Sequence, residues 1–241
     1  MEATYQTKAI ILSRQPFREN DCRVIVYSRD RGKIDLVARG TKKISSKLAG
    51  HLEPFNLSDL MVARGRQYDY IGAAISQNCY YNIKSDSEKT ACAGQAANIF
   101  NKLIKPGERG ERLFGLLLDF LETLNKNQLS VINYQLFYHF FALSMLVELG
   151  YRPELYKCVI CGNKILPNGN QFDFLKGGLV CAICRKNNKN KQVLPISADC
   201  IKVLRLAVES DLNKLIKLKI SDKLIKEINN IIGSFYNYNF I

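Results

Sequence analysis

Two C-x-x-C pairs constrain the fold of this chain more than any other feature of its sequence. The first pair is Cys158 and Cys161, the second is Cys181 and Cys184, and nineteen residues separate them. Two turns of this spacing can direct four sulfur atoms at one tetrahedral Zn²⁺, because two intervening residues let both sulfurs of a pair reach the metal. Protein would then fill all four positions. The pattern therefore predicts one structural zinc per chain, not a catalytic zinc with an open position.

Two other interpretations of the cysteines are weaker. A redox C-x-x-C typically occurs once, at the start of a helix in a βαβ pattern, whereas this motif occurs twice without that pattern. Disulfides need an oxidising compartment, and the chain opens Met1-Glu2-Ala3-Thr4 with neither a basic nor an apolar leader segment. We therefore expect a cytoplasmic protein with reduced thiols. The remaining cysteines are expected to be buried: Cys22, Cys79, Cys92 and Cys200.

Positive charge is concentrated in two parts of the chain. The net charge is +13, and residues 1–80 contain thirteen Lys and Arg against eight Asp and Glu. Residues 157–191 contain seven against one, while residues 81–156 are balanced at eight each. Such asymmetry favours a polyanion partner, since each phosphate that a protein neutralises releases a counterion and adds affinity. The segment 186–191, which consists of three lysines and three asparagines, is expected to be a mobile basic loop.

The first eighty residues have the alternation of β-strands. Runs rich in Ile, Val, Leu and Tyr cover residues 5–13, 22–28, 33–38, 57–62 and 70–80. Five short strands in one small unit predict a closed or nearly closed barrel, which removes exposed sheet edges. An OB-fold is the five-stranded barrel that most often binds nucleic acid, and an SH3-like barrel is the alternative.

After residue 80 the apolar spacing changes to that of helices. Capping signals at residues 85–88 start a helix towards Ile104, and further helices are predicted from 113 to 124, from about Ser130 to Gly150, and three times after residue 196. The fold class is therefore α+β. We predict a barrel domain at 1–80 and a helical domain at 81–241, with a zinc finger inserted at about 156–191. The apolar segment 131–149 contains too many polar residues for a membrane span and predicts a buried helix.

A basic loop in the barrel is the first candidate for binding phosphates. Residues 39–47 contain four cations, three hydroxyl groups and a glycine, which provide donors of several geometries on a loop that can follow a nucleic-acid backbone. The predicted DNA-binding residues are Arg39, Lys42, Lys43 and Lys47, with Arg14, Arg31, Lys33 and Arg66 as weaker candidates. Aromatic side chains available for base stacking are Tyr5, Phe17, Tyr27, Tyr68 and Tyr70, although a core position is the default for each.

Several short motifs, in this order and at these distances, resemble one family. They are FREND at 17–21, RGK at 31–33, ARGTKK at 38–43, LEPF at 52–55, LGYRP at 149–153, CVICG at 158–162, GGL at 177–179 and CAIC at 181–184. Together they resemble the RecO family of bacterial recombination and repair proteins, over nearly the whole chain. The resemblance implies an N-terminal OB domain and a helical C-terminal domain with a zinc finger.

The same resemblance implies a function. It predicts a non-enzymatic recombination mediator that binds single- and double-stranded DNA and anneals complementary strands. It also predicts RecR and the single-stranded DNA-binding protein as partners, help for RecA loading, and association with the bacterial nucleoid. No membrane or small-molecule partner is expected.

Two other function classes are alternatives to this prediction. A zinc-dependent nucleobase deaminase needs an H-x-E motif and a downstream P-C-x-x-C, but Lys157 precedes Cys158 and no such motif follows His51-Leu52-Glu53. An RNA-binding OB protein fits the barrel and the charge equally well. Only the family resemblance favours DNA over RNA.

Overall fold

The computed structural model describes residues 3–129, 134–186 and 192–240. The chain forms two compact units, Met1–Asn127 and Gln128–Ile241. Most of the basic loop predicted at 186–191 lies outside the described residues, as does the start of the helix predicted from about Ser130.

Five strands make up most of the first 80 residues, as the alternation predicts. They are β1 (Thr4–Pro16), β2 (Cys22–Ser28), β3 (Gly32–Ala38), β4 (Leu57–Ala63) and β5 (Asp69–Asn78). They form a closed barrel in the order β1-β2-β3-β5-β4, in which β1 pairs with both β2 and β4. Only the contact of β3 with β5 is parallel. Closure pairs the backbone groups that edge strands would otherwise leave without partners.

The length of β1 allows this one strand to join both sides of the barrel. Its 13 residues pair with β4 in the first half and with β2 in the second half. The register shifts between Ile11 and Ser13, and such a bulge bends a strand and increases its twist. The barrel core is formed by inward-facing apolar side chains from every strand, among them Ala9, Ile11, Val24, Val26, Leu36, Leu60, Val62 and Ile71.

Three helices follow the barrel: α1 (Tyr81–Lys84), α2 (Ser87–Leu103) and α3 (Glu111–Lys126). Asp86 is the N-cap of α2, because its carboxylate accepts hydrogen bonds from the backbone N–H groups of Glu88 and Lys89. These bonds satisfy donors that have no partner inside the helix. The capping signal at 85–88 therefore predicts the correct helix start, with Asp86 as the capping residue.

Contacts with the barrel place α2 and α3 in the first compact unit. The buried Tyr27 of β2 packs edge-on against Phe100, with ring centroids 4.7 Å apart, and stacks on Phe114 at 6.3 Å. The Lys33 ammonium of β3 donates a hydrogen bond to the carbonyl oxygen of Asn101 at 2.6 Å. Tyr27 is therefore a core residue. The division into domains at 1–80 and 81–241 stays a prediction.

The second unit combines helices with a small sheet. Its elements are α4 (Tyr134–Glu148), β6 (Gln171–Asp173), β7 (Gly178–Val180), α5 (Ala182–Arg185), β8 (Val193–Pro195), α6 (Ala198–Ala207), α7 (Leu212–Leu215) and α8 (Asp222–Phe240). The three strands form a sheet in the order β7-β6-β8. The sheet and α5 interrupt the series of helices between α4 and α6, where the sequence predicts an inserted module.

Helix α4 is apolar on most sides, and it packs against α6, α7 and α8 in the second unit. Its buried residues include Phe137, Phe140 and Phe141, and a helix that is apolar all round is expected to be enclosed by others. His139 is also buried, and its Nδ1 lies 2.9 Å from Asn229 Oδ1 of α8. Among the described residues, no helix combines the length and the apolar character needed to cross a bilayer.

Candidate metal centre and nucleic-acid interface

The four cysteines of the C-x-x-C pairs lie together in the second unit. All four Sγ atoms are within 4.8 Å of one another. The Sγ atoms of Cys161 and Cys181 are 3.9 Å apart. Metal–sulfur bonds of 2.3 Å in a tetrahedron separate the sulfur atoms by about 3.8 Å. The donor set and its spacing therefore fit a tetrahedral, thiolate-bound metal ion.

Local backbone geometry forms this cluster. Gly162 has a φ of 75° and donates its N–H to the carbonyl oxygen of Cys158 at 2.9 Å, which closes the first turn. Glycine adopts this left-handed conformation without strain. The backbone N–H of Cys181 donates to Cys158 Sγ at 3.4 Å, and that of Cys184 donates to Cys181 Sγ at 3.5 Å. N–H groups directed at sulfur stabilise thiolates and orient metal ligands.

The protonation of the cluster also favours a bound cation. Burial opposes ionisation of Cys158, but backbone N–H groups, chiefly that of Cys161, outweigh it and lower the pKa of this thiol to about 6. Hydrogen bonds with the neighbouring thiols, first that of Cys161, raise the pKa of Cys184 to about 12. Four adjacent thiols therefore do not all ionise by themselves. A divalent ion supplies the positive charge that stabilises four thiolates together.

The other cysteines are separate from the cluster. Cys22, Cys92 and Cys200 are buried, as predicted, and burial raises the pKa of the Cys92 thiol to about 12. Cys79 is exposed, so the prediction of a buried thiol is wrong at this position. The reason is that Cys79 follows the last residue of β5, where the chain has left the barrel.

The second candidate site begins with the basic loop that follows β3. Hydrogen bonds join this loop to the connection between β1 and β2. The backbone N–H of Gly40 donates to Asp21 Oδ1 at 2.9 Å, and that of Lys42 donates to the carbonyl oxygen of Asn20 at 3.1 Å. The Lys42 ammonium also donates to the carbonyl oxygen of Arg18 at 2.9 Å. The basic loop therefore has a defined position beside its neighbour.

Aromatic contacts add a third segment to this surface. Phe17, in the β1–β2 connection, packs edge-on against Tyr68, just before β5, with ring centroids 5.4 Å apart. The Arg39 guanidinium carbon lies 4.0 Å from the ring centroid of Tyr70, the second residue of β5. Arg18 lies over the Phe17 ring at 5.2 Å. We call the combination of residues 17–21, 39–47 and 64–70 the three-loop surface.

The predicted DNA-binding cations have different environments in the structure. Arg39, Lys42, Lys43 and Lys47 are exposed on the three-loop surface, and so is the weaker candidate Arg66. The other three weaker candidates, Arg14, Arg31 and Lys33, are partly buried. The sequence alone does not distinguish the two groups, because both are cations beside turns.

Arg14, Arg31 and Lys33 each contact other residues of the first unit. Arg14 donates to the carbonyl oxygen of Ala49 at 2.9 Å and pairs with Glu53 at 2.8 Å. The Arg31 guanidinium lies 3.8 Å from the ring centroid of Tyr5. Burial lowers the pKa of Lys33, which reaches Asn101 of α2.

Two residues of the three-loop surface were not among the sequence predictions. Arg18 is exposed on the three-loop surface, and Asp21 anchors the basic loop through its carboxylate. Both belong to the FREND motif at 17–21. The sequence identifies this motif, but it does not indicate what the individual side chains contact. Asp21 binds a backbone N–H group and not a charged side chain. The pattern of charges in the sequence therefore does not indicate its partner.

Comparison with protein-family models divides the chain in two parts. Residues 1–79 match the model for the N-terminal part of recombination protein O, and residues 84–240 match the model for its C-terminal part. The chain belongs to the RecO family. The boundary between the two matches lies close to the end of β5, at Asn78.

Curated RecO relatives match over most of their length. "DNA repair protein RecO" of Desulforamulus reducens is 30% identical over 234 residues, which is 97% of this chain and 89% of the relative. The protein of the same name from Dehalococcoides mccartyi is 30% identical over 93% of this chain and 86% of its own. That from Roseiflexus sp. is 30% identical over 98% and 81%.

Proposed function

We propose that this protein is a DNA-binding recombination mediator and strand-annealing protein that acts in DNA repair. The observation that carries the proposal is the three-loop surface, where exposed cations and aromatic rings from three separate loops lie on one barrel. Membership of the RecO family and the names of its relatives support DNA as the polyanion.

We assign the barrel to the OB-fold class. Its five strands close through β1, and the three-loop surface includes the β1–β2 and β4–β5 connections. These are the loops with which OB-folds bind oligonucleotides. The assignment accounts for the positions of Phe17 and Tyr68 on these two connections, and the basic loop joins them from the β3–β4 connection.

The proposed mechanism is electrostatic and needs no covalent step. Exposed cations such as Lys43 and Lys47 neutralise phosphates of one strand, which lowers its repulsion of a second strand. Base edges that the protein does not contact remain available for pairing. The protein would therefore accelerate annealing as a binding protein and not as an enzyme.

The metal centre has a structural role in this proposal. Four cysteine thiolates prefer Zn²⁺ and complete its tetrahedron, so the ion would hold the two turns of the inserted module together. Cys158, Cys161, Cys181 and Cys184 are the proposed ligands. We further propose that RecR and the single-stranded DNA-binding protein are partners, that the complex helps RecA load, and that the protein acts on the bacterial nucleoid in the cytoplasm.

Annealing of fluorescently labelled complementary strands tests the function directly. The protein is expected to accelerate the annealing of naked strands, and of strands coated by single-stranded DNA-binding protein, with or without ATP. EDTA should leave the rate unchanged while the structural metal stays bound, which metal analysis of the same sample verifies. Strict dependence on ATP or on a free divalent ion would contradict the proposal, as would no acceleration of naked strands.

RNA binding is the second candidate function. The observation in its favour is that the three-loop surface offers contacts to phosphates and base faces, which DNA and RNA share. Binding of matched DNA and RNA strands over a series of salt concentrations separates the candidates. Tighter binding of DNA at every salt concentration supports the repair function, and tighter binding of RNA supports the alternative.

A further inference from the structure

An arginine covers the face of one aromatic ring on the three-loop surface. The guanidinium carbon of Arg39 lies 4.0 Å from the Tyr70 ring centroid, which is van der Waals contact. Tyr70 is half-buried and Arg39 is exposed. The ring therefore lies against one side of the guanidinium group, and the exposure of Arg39 leaves the other side accessible to a ligand.

The edge of the Tyr70 ring packs closely against the backbone at Gly65. A Cβ atom at Gly65 would lie 2.8 Å from Tyr70 Cε2 and 2.0 Å from the carbonyl oxygen of Tyr68, so only glycine permits this close approach. Stacking on a fixed ring limits the motion of the guanidinium plane. Within residues 3–129, Arg39 makes no ion pair that would draw it away. The contact with the ring therefore favours one position of the guanidinium group before a ligand binds.

The two parts of a guanidinium group bind different parts of a nucleic acid. Its N–H edges donate to phosphates, whereas its flat faces stack on bases. A base inside a duplex is stacked on neighbours at about 3.4 Å and has no free face. The exposed face of Arg39 therefore suits a base of a single strand, which can turn out of its stack.

We infer that Arg39, packed over the ring of Tyr70, is a stacking platform for an unpaired nucleobase. This inference deepens the proposed function and rests on it: the barrel binds single strands through base contacts as well as phosphates. Phe17 and Arg18 form a similar pair, with 5.2 Å between guanidinium and ring, next to Tyr68. Tyr68 and Tyr70 are two residues apart, about 6.6 Å along an extended chain, so this second pair lies near enough to receive a neighbouring base.

Oligonucleotides with and without bases test this inference. The probes are a fluorescein-labelled oligothymidine of about 15 nucleotides, the upper range of one OB-fold site, and an abasic sugar-phosphate strand of equal length. Arg39→Lys keeps the charge and removes the plane. It should weaken binding of oligothymidine by at least about fivefold, the lower range for one stacked base, and leave binding of the abasic strand unchanged.

Three further variants complete the design. Tyr70→Phe keeps the ring and should match the wild type, whereas Tyr70→Leu should resemble Arg39→Lys. Arg29→Lys is the matched control, because Arg29 is exposed but pairs with Glu111 away from the three-loop surface. Thermal unfolding of each variant checks that it folds.

Equal losses for both strands in Arg39→Lys would overturn the inference and leave Arg39 as a phosphate contact. Unchanged affinity for both strands would also overturn it. These outcomes leave the proposed function intact, since the wild type still binds DNA. Failure of the wild-type protein to bind either strand would instead remove the proposed function together with the inference.

Discussion

The cysteine cluster and the three-loop surface are built in opposite ways. Each turn of the cluster is local, with two ligands separated by two residues, so the spacing of the sequence determines most of its geometry. The three-loop surface brings together residues 17–21, 39–47 and 64–70, which only the closure of the barrel makes neighbours. The difference teaches that local sites can be predicted from spacing, whereas a surface made of several loops needs the strand order.

The largest effect is expected from removing a cysteine of the cluster. Cys161→Ser should lose the metal and unfold the inserted module, because zinc binding in small modules contributes about 10–16 kcal/mol. Metal analysis and near-UV circular dichroism measure this. Cys79→Ser, at an exposed cysteine outside the cluster, should keep one zinc per chain. Equal metal content in both variants would show that the cluster is not the metal site.

Substitutions on the three-loop surface should have a different effect. They should weaken DNA binding and leave the protein folded. Replacing Lys42, Lys43 and Lys47 with alanine should reduce the salt dependence of single-strand binding. The slope of log affinity against log salt is expected to fall by about 2 in total, at about 0.7 for each phosphate contact. Fluorescence anisotropy at several salt concentrations measures it.

The matched control for this variant removes three exposed lysines from the second unit: Lys217, Lys223 and Lys226. Their replacement with alanine should alter the slope much less, although it changes the net charge equally. If both triple variants lose the same slope, DNA contacts depend on overall charge and the three-loop surface has no special role.

Lys33 tests whether a barrel cation with a protein partner acts differently from the cations of the three-loop surface. Lys33→Met should lower the free energy of unfolding by about 1.5–3 kcal/mol, the range for hydrogen bonds of charged groups, because Asn101 loses its donor. Its salt slope in DNA binding should remain that of the wild type. Urea unfolding and anisotropy on the same sample measure both. A reduced slope with unchanged stability would place Lys33 in the DNA interface instead.

The smallest effect is expected from His139 in the second unit. Burial lowers its pKa below the ordinary value of 6.5, although the hydrogen bond to Asn229 acts in the opposite direction. The unfolded chain therefore takes up a proton first as the pH falls below 6.5, and the second unit loses stability there. Above that pH the contribution is fully present. Urea midpoints on both sides of pH 6.5 should differ less in His139→Gln than in the wild type.

The sequence predicted the strands and the metal cluster well, and for the same physical reason. Strand alternation and C-x-x-C spacing are both properties of a few consecutive residues, so β2 was predicted residue by residue at 22–28. Partners across the chain were not predictable in this way. Nothing near Arg14 or Lys33 in the sequence indicates that they contact Ala49 and Asn101. Their interpretation as phosphate contacts followed from their charge alone. A cation that binds DNA and a cation that donates to a backbone carbonyl oxygen carry the same charge, so the sequence does not distinguish them.

The double pairing of β1 has a consequence for synthesis of the protein. Thr4 pairs with Ala63, so the first strand made cannot complete its contacts until nearly the whole barrel has been translated. The hairpin of β1 with β2 can form early, but one edge of β1 remains open while β3 and β4 are still being made. Long-range pairing of this kind folds slowly and exposes apolar strands in the interval. The nascent chain is therefore most vulnerable to aggregation before β4 arrives, and residue changes that strengthen the early hairpin should shorten that period.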